Sequence, residues 1–118
     1  MTPEAPTAPI SLDGRVFIDA TPEPAGDVSS ATEFRYHQDG DLVWASYSGG
    51  SVRLGYLVGL REGDTLRFRY THLTHDGESS AGSCRSHIRL ADGRVWLEES
   101  WQWESKPGTG TSLLVERA

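Results

Sequence analysis

Short glycine turns recur along the chain and separate runs in which apolar and polar residues alternate. The turns are QDGD at 38–41, SGGS at 48–51, REGD at 61–64, HDGE at 75–78 and ADGR at 91–94. Glycine adopts the positive φ that tight β-hairpin loops need, so turns at this spacing predict consecutive antiparallel strands. A longer loop, ESKPGTGT at 104–111, joins the last two runs. No window of the sequence has sustained helical periodicity.

The runs between these turns predict eight strands in one antiparallel meander. They span residues 15–19, 32–37, 42–47, 52–60, 65–73, 79–90, 94–103 and 111–116. An open sheet of this size leaves two unpaired edges and an exposed apolar face, and closure into a barrel removes both. The sequence therefore predicts an all-β fold, an eight-stranded antiparallel up-and-down barrel. The interior of such a barrel is filled by side chains or holds one small ligand.

Length and charge limit the remaining possibilities. The 118 residues suffice for one domain, and the stretch 1–11, rich in Pro, Ala and Thr, predicts a disordered N-terminal extension to a single barrel domain at 12–118. A net charge of −6 argues against nucleic acid or an anionic membrane as a partner. No secretory signal and no apolar span are recognisable, so a cytoplasmic location is expected.

Hairpin register decides which side chains face the barrel interior. A three-residue loop at 38–40 would place four large side chains on the inner face: Phe34, Tyr36, Leu42 and Trp44. In the run TLRFRYTH at 65–72, Arg67 and Arg69 indicate the face that is exposed to solvent. The opposite, inward face then carries Leu66, Phe68, Tyr70 and His72.

The registers of the hairpins at 48–51, 61–64 and 91–94 stay open. A two-residue Gly49-Gly50 turn suits a type I′ hairpin and is favoured. It turns small residues inward, together with one apolar side chain: Gly55, Leu57 and Gly59. It also brings Arg53 inward. A three-residue loop would instead turn inward Leu54, Tyr56 and Val58.

The run VWLEESWQWE at 95–104 places a carboxylate on an apolar face. A two-residue Asp92-Gly93 turn pairs Ser86 with Glu99, and the neighbouring pairs are Ile88 with Leu97 and Cys84 with Trp101. A three-residue loop would turn Glu98 and Trp96 inward instead. In either register one glutamate faces the interior.

Several segments together resemble a family of small bacterial proteins of similar length. They are FRYHQDGDLVWASYSGG, GYLVGL, LRFRYTHL, GSCRS, DGRVWLEESWQW and the late GTS. Members often carry the label N-acetylglutamate synthase. The resemblance covers residues 12–116 and implies a small calycin-like barrel, lipocalin-like in shape. It implies no catalytic residues, and the chain lacks the loop and following helix that bind a coenzyme A pyrophosphate.

Three interior side chains are candidates for acid–base chemistry: Glu99, Tyr70 and His72. An apolar barrel raises the pKa of a carboxyl group, which would make Glu99 a general acid or a donor to a ligand. Tyr70 could donate to a ligand oxygen, and His72 could transfer a proton near the barrel mouth. The alternatives are a paired or rim glutamate, a core tyrosine and a rim histidine.

A flat, mainly apolar ligand could stack on the interior rings. The predicted ligand-binding residues are Phe34, Tyr36, Trp44, Arg53, Phe68, Tyr70, Glu99, Trp101 and Trp103. Ordinary core packing would use the same rings. Residues three apart in HLTH at 72–75 face opposite sides of a strand, so no metal site is expected there. No cofactor is expected either. The single cysteine, Cys84, is interpreted as a small buried hydrophobe.

The sequence thus favours a barrel that binds a small, mainly apolar molecule. One alternative is a small barrel enzyme, a cyclase or isomerase, in which Glu99 transfers a proton with Tyr70 or His72; whether the protein is an enzyme stays open. A second alternative is a filled barrel that acts in assembly. A homodimer would then use outward apolar residues such as Val43, Tyr47, Leu54 and Tyr56.

Overall fold

A computed structural model describes residues 10–22 and 26–117. Within these ranges eight strands form one closed antiparallel barrel in chain order, and β1 pairs with β8 to close it. The strands are β1 Val16–Asp19, β2 Glu33–Asp39, β3 Leu42–Gly49, β4 Val52–Glu62, β5 Thr65–Thr74, β6 Ser79–Ala91, β7 Arg94–Trp103 and β8 Thr109–Glu116. The predicted eight-stranded up-and-down barrel is confirmed.

The start of the chain is only partly described. Residues 1–9, most of the segment expected to be disordered, lie outside the described residues. Ile10 packs against the core, and the Arg61 guanidinium donates a hydrogen bond to its carbonyl oxygen. Leu12 is fully buried, and its backbone N–H donates to the side-chain oxygen of Gln38 at 2.9 Å. Residues 10–12 therefore pack against the barrel.

The β6–β7 hairpin has the predicted two-residue turn. Asp92 and Gly93 have φ values of 54° and 71°, as a type I′ turn requires. Ser86 consequently pairs with Glu99, and Cys84 pairs with Trp101. The inward orientation expected for Glu99 is confirmed by its burial.

The loop predicted for the β2–β3 hairpin is wrong. Asp39 pairs with Leu42, so the turn consists of Gly40 and Asp41 alone. Gly40 has a φ of 61° at the first turn position, which is where a type II′ turn requires glycine.

This shorter loop reverses the face of β3. Tyr47 pairs with Phe34 inside the barrel, while Trp44 is 38% exposed on the outside. Because successive strand residues face opposite sides, the expected inward orientation of Leu42 and Trp44 is wrong. Val43 and Tyr47, expected on the outer face, are buried.

Strand β4 has the favoured orientation along most of its length. Gly55 and Leu57 are buried, Gly59 is half-buried, and Tyr56 is exposed. Near the start of the strand, the pairing with β5 shifts between Val52 and Leu54. This irregularity leaves Arg53 exposed, so its expected inward orientation is wrong.

The two halves of the interior differ. One half is packed with fully buried side chains, among them Tyr36, Leu66, Ile88, Val95 and Leu97. The other half, at the C-terminal ends of β3, β5 and β7, contains a cavity. The interior is therefore filled by side chains at one end only. None of the described residues belongs to a helix long and apolar enough to cross a membrane.

Candidate ligand-binding site

The open half of the barrel contains a cavity of about 50 Å³. Its walls come from strands β2 to β8 and from the connection between β1 and β2. Seven of the residues predicted from the sequence line it: Phe34, Phe68, Tyr70, His72, Glu99, Trp101 and Trp103. Because these side chains come from three strands that are not adjacent in the sheet, β2, β5 and β7, barrel closure is what brings them together.

Two glycines leave the space that neighbouring aromatic rings occupy. A Cβ atom on Gly55 would lie 2.3 Å from the Tyr47 ring, and one on Gly110 would lie 2.2 Å from the Trp101 ring. Both distances are far below van der Waals contact. Neighbouring rings therefore occupy the space beside these two glycines, and the cavity is what remains between the rings.

Two tryptophans of β7 form one wall of the cavity. The ring centroids of Trp101 and Trp103 are 5.3 Å apart, and the Trp103 ring meets Tyr70 edge-on at 5.7 Å. The Trp101 indole N–H donates a 2.9 Å hydrogen bond to the hydroxyl of Ser112. Since its polar atom is satisfied, Trp101 presents an apolar surface to the cavity.

Glu99 is the carboxyl group where the cavity meets the packed half. The Ser86 hydroxyl donates a 2.8 Å hydrogen bond to Glu99 Oε2. Burial raises the pKa of Glu99 to about 7, with the Ser86 hydrogen bond opposing the shift and the nearby Asp19 carboxylate adding to it. Glu99 therefore gains or loses a proton close to neutral pH.

A buried hydrogen-bonded chain lies in the same cavity wall. His72 Nε2 is 2.8 Å from Asp27 Oδ2, and His72 Nδ1 is 3.0 Å from the Tyr47 hydroxyl. A carboxylate only accepts hydrogen bonds, so Nε2 carries the proton in the neutral imidazole. Nδ1 then accepts the Tyr47 hydroxyl hydrogen, and Tyr47 keeps a lone pair for another donor.

The tyrosines of the site are held in their neutral form. Burial, the largest effect, raises the pKa of Tyr47 and of Tyr70 well above that of a free tyrosine. Burial likewise raises the pKa of the Cys84 thiol, and the Glu99 carboxylate adds to that shift. Neither the phenols nor the thiol is activated as a nucleophile.

Three of the predicted site residues lie elsewhere. Trp44 and Arg53 point outward, for the register reasons given above. Tyr36 faces the interior but lies in the packed half, against Phe17. Its hydroxyl has no hydrogen-bond partner among the described parts of the chain.

Among the lining residues that the sequence reasoning did not assign to the site, Tyr47 and Asp27 are the two that hydrogen-bond to His72. A two-residue Gly40-Asp41 turn would have placed Tyr47 on the face of Phe34. Asp27 lies in the connection between β1 and β2, where no alternation of residues signals a role. Over residues 10–22 and 26–117, no group of three or more His, Cys, Asp and Glu side chains could hold a metal ion.

A closed eight-stranded antiparallel barrel with a cavity at one end is a calycin-type β-barrel. Residues 10–117 match a protein family described as avidin-like protein, and the chain belongs to that family. The calycin-like fold implied by the resemblance is thereby supported, whereas the match does not bear on the N-acetylglutamate synthase label. No significant match was found among curated proteins or solved structures.

Proposed function

We propose that the protein binds a small, mainly apolar molecule in the cavity at the open end of the barrel. The observation that carries the proposal is the composition of the cavity wall, in which aromatic rings surround the carboxyl of Glu99 and the Asp27–His72–Tyr47 chain. Small-molecule sites typically combine an apolar lining with a few polar groups that fix orientation. Membership of the avidin-like family supports the proposal, since that family binds small ligands such as biotin.

The size of the cavity limits how a ligand enters. Its volume is about 50 Å³, whereas pockets for drug-sized ligands measure roughly 300–1,000 Å³. Only a small terminal group of the ligand fits beside Glu99. The rest lies in the mouth, where Val28, Trp101 and Trp103 provide apolar surface.

The two polar features of the cavity define what that terminal group carries. Protonated Glu99 donates a hydrogen bond, so it suits a carbonyl or another acceptor on the ligand. The Tyr47 hydroxyl donates its hydrogen to His72 Nδ1, so its oxygen can accept a hydrogen bond from an N–H or O–H group of the ligand. The favoured ligand has an acceptor and a donor close together on a mainly apolar body.

Native mass spectrometry tests the proposal directly. Protein purified gently from its own source is compared with the same sample after denaturation, and an excess mass lost on denaturation identifies a captured ligand. Biotin is then titrated into ligand-free protein while tryptophan fluorescence is recorded, because Trp101 and Trp103 line the cavity. A bare native mass together with an unchanged fluorescence signal over micromolar to millimolar biotin would count against a binding role.

A second function, that of a small cyclase or isomerase, is favoured by one observation. Glu99, with a pKa of about 7, lines the same cavity as the Asp27–His72–Tyr47 chain. A general base works best when its pKa is near the working pH. The Glu99 carboxylate would remove a proton from a substrate carbon and return it to another carbon of the same molecule, so the reaction needs no co-reactant. His72 acts through the Tyr47 hydroxyl in this scheme, and Tyr70 packs beside them.

Deuterium exchange separates the two functions. The captured ligand is incubated in D₂O with wild-type protein and with the Glu99→Gln variant, and its mass is followed. Carbon-bound deuterium that appears only with the wild type, while the variant still binds, supports the enzyme. A change in affinity without any exchange supports the binding protein.

A further inference from the structure

The outer surface of the barrel has a groove of about 1220 Å³ that crosses strands β4 to β8. Most of its lining consists of outward side chains, so the sheet itself separates this outer groove from the cavity inside the barrel. The outer groove is larger than the roughly 300–1,000 Å³ typical of small-molecule sites. It therefore has room for an extended segment of polypeptide.

Three arginine side chains lie in the middle of the outer groove. Arg67 of β5 pairs directly with Arg85 of β6, and Arg69 lies two residues further along β5. All three are exposed. Residues paired in this way have Cβ atoms about 4.5–5.5 Å apart, and like charges directly opposite each other destabilise a sheet. An anion bound between Arg67 and Arg85 would offset this repulsion.

The charges of Arg67 and Arg85 are not balanced within the described part of the chain. Arg69 forms an ion pair with Glu104, with 3.3 Å between Nε and Oε1. Over residues 10–22 and 26–117, neither Arg67 nor Arg85 has an ion pair with a carboxylate. Among the described residues that line the outer groove, Glu62 is the only carboxylate. The outer groove is therefore a positively charged region on a chain whose net charge is −6.

One row of paired residues crosses all five strands of the outer groove. From β4 to β8 it consists of Leu60, Arg67, Arg85, Ser100 and Thr111. An apolar side chain thus lies at one end, two cations lie in the middle, and hydroxyl groups that can donate hydrogen bonds lie at the other end. Four gaps between strands of about 4.8 Å each give roughly 19 Å, the length of about six residues of extended chain.

We propose that the outer groove binds a short acidic segment of a partner protein in an extended conformation. A carboxylate of the segment lies between Arg67 and Arg85, where a guanidinium group binds it through two parallel hydrogen bonds. An apolar side chain of the segment contacts Leu60. Acceptor groups beyond the carboxylate face the hydroxyls of Ser100 and Thr111. This interaction is separate from the small-molecule binding proposed for the cavity inside the barrel.

The lining of the outer groove favours an acidic protein segment over a nucleic acid. Single-stranded nucleic acids bind through bases that stack on exposed aromatic rings. The two aromatic side chains that line the outer groove, Phe68 and Trp101, instead face the barrel interior. The net charge of −6 also opposes a long polyanion, whereas a short segment interacts mainly with the nearby arginines.

Fluorescence anisotropy with labelled peptides tests the proposal on the full chain. The probe is a peptide of about six residues with one leucine followed by glutamates, and its control peptide has glutamine in place of every glutamate. The glutamate peptide should bind and should lose affinity as the salt concentration rises. The glutamine peptide should not bind.

Substitutions locate the site of peptide binding. Arg67→Gln and Arg85→Gln should each weaken the binding of the glutamate peptide by on the order of tenfold. Arg53→Gln is the matched control, because Arg53 is an exposed arginine of β4 that lies outside the outer groove. This control should leave the affinity unchanged.

Thermal denaturation provides a second readout. Without peptide, Arg85→Gln should be slightly more stable than the wild type, because the substitution removes one of two opposed charges. Saturating glutamate peptide should raise the melting temperature of the wild type but not that of the variant that combines Arg67→Gln with Arg85→Gln. The same melting curves show that each variant is folded.

Four results would overturn the proposal. The first is absence of binding by the glutamate peptide at millimolar concentration, and the second is equal binding by the glutamine peptide. The third is an affinity that survives the combined Arg67→Gln and Arg85→Gln substitutions. The fourth is a different occupant: binding of inorganic phosphate but not of the peptide would indicate a site for small anions, and a wild-type dimer that the combined substitutions dissociate would assign the outer groove to a second copy.

Discussion

Glu99 lies directly opposite Ser86 across the β6–β7 hairpin, and the Ser86 hydroxyl donates a 2.8 Å hydrogen bond to its carboxylate. The hydrogen bond stabilises the ionised form of Glu99. Burial acts in the opposite direction and is the larger effect, so the pKa rises from 4.5 to about 7. The folded protein therefore keeps a proton on Glu99 at pH values where the unfolded chain has released it.

This difference predicts a pH-dependent stability. As the pH rises from 4.5 to about 7, the folded state binds more protons than the unfolded state, so the free energy of unfolding falls. The loss is absent below this window and reaches about 3 kcal/mol above it. Glu99→Gln removes this titration and should be more stable than the wild type above pH 7. Urea denaturation at several pH values measures the effect. Glu98→Gln, on the exposed face of β7, is the control and should follow the wild type.

Tyr47→Phe should destabilise the protein. The substitution keeps the ring but leaves His72 Nδ1, which lies 3.0 Å from the Tyr47 hydroxyl, without its buried partner. An unsatisfied buried polar group costs about 1–3 kcal/mol. Thermal denaturation should show the lower stability, whereas Tyr56→Phe, which changes an exposed hydroxyl, should have no effect. Equal stability of the two variants would mean that the Asp27–His72–Tyr47 chain does not stabilise the fold.

Much of the fold was predictable because the glycine turns mark the hairpins. The predicted strand 94–103 coincides with β7, and the predicted 52–60 falls within β4 Val52–Glu62. On β5 the arginines at 67 and 69 identified the solvent-exposed face, so the inward orientation of Phe68 and Tyr70 followed directly. In such strands polarity and alternation agree, and the sequence alone determines which face is buried.

The site was less predictable, for two physical reasons. The sequence QDGD allows glycine at the end of a three-residue loop or at the start of a two-residue turn, and one residue of difference moves Trp44 outside and Tyr47 inside. Asp27 lies in a connection without periodicity, so its contact with His72 depends on tertiary structure alone. The orientation of Arg53 was also not predictable, because its exposure results from the shift in β4–β5 pairing between Val52 and Leu54.

Gly110→Ala should disturb the cavity wall. An added Cβ would lie 2.2 Å from the Trp101 ring, so the indole must move. Overpacking of this kind costs about 1–3 kcal/mol. A shift in tryptophan emission together with a lower melting temperature would show the displacement. Trp101→Phe combined with Gly110→Ala should recover part of the loss, because the smaller ring leaves room for the methyl group. No recovery would mean that the cost arises in the β8 backbone.

The Cys84 thiol should be inert in the folded protein. It is 7% exposed, and burial raises its pKa, so little thiolate forms at neutral pH. Titration with a thiol-specific chromogenic reagent should show no reaction under native conditions and one equivalent of thiol after denaturation. Rapid native labelling would show that the cavity wall opens frequently enough to expose β6.

The single pairing of β1 with β8 has a consequence for how the barrel folds. All other strand pairs join neighbours in sequence, and from β2 to β8 each connection is a short loop, so these hairpins form fast. Joining Phe17 to Glu116 must instead bring together the two ends of the meander. We therefore expect barrel closure to be the rate-limiting step in folding. Closure is supported by the ion pair between Arg15 Nη1 and Glu116 Oε2 at 2.7 Å. Before closure occurs, β1 and β8 both present open edges, and this is the stage at which the chain is most prone to aggregate.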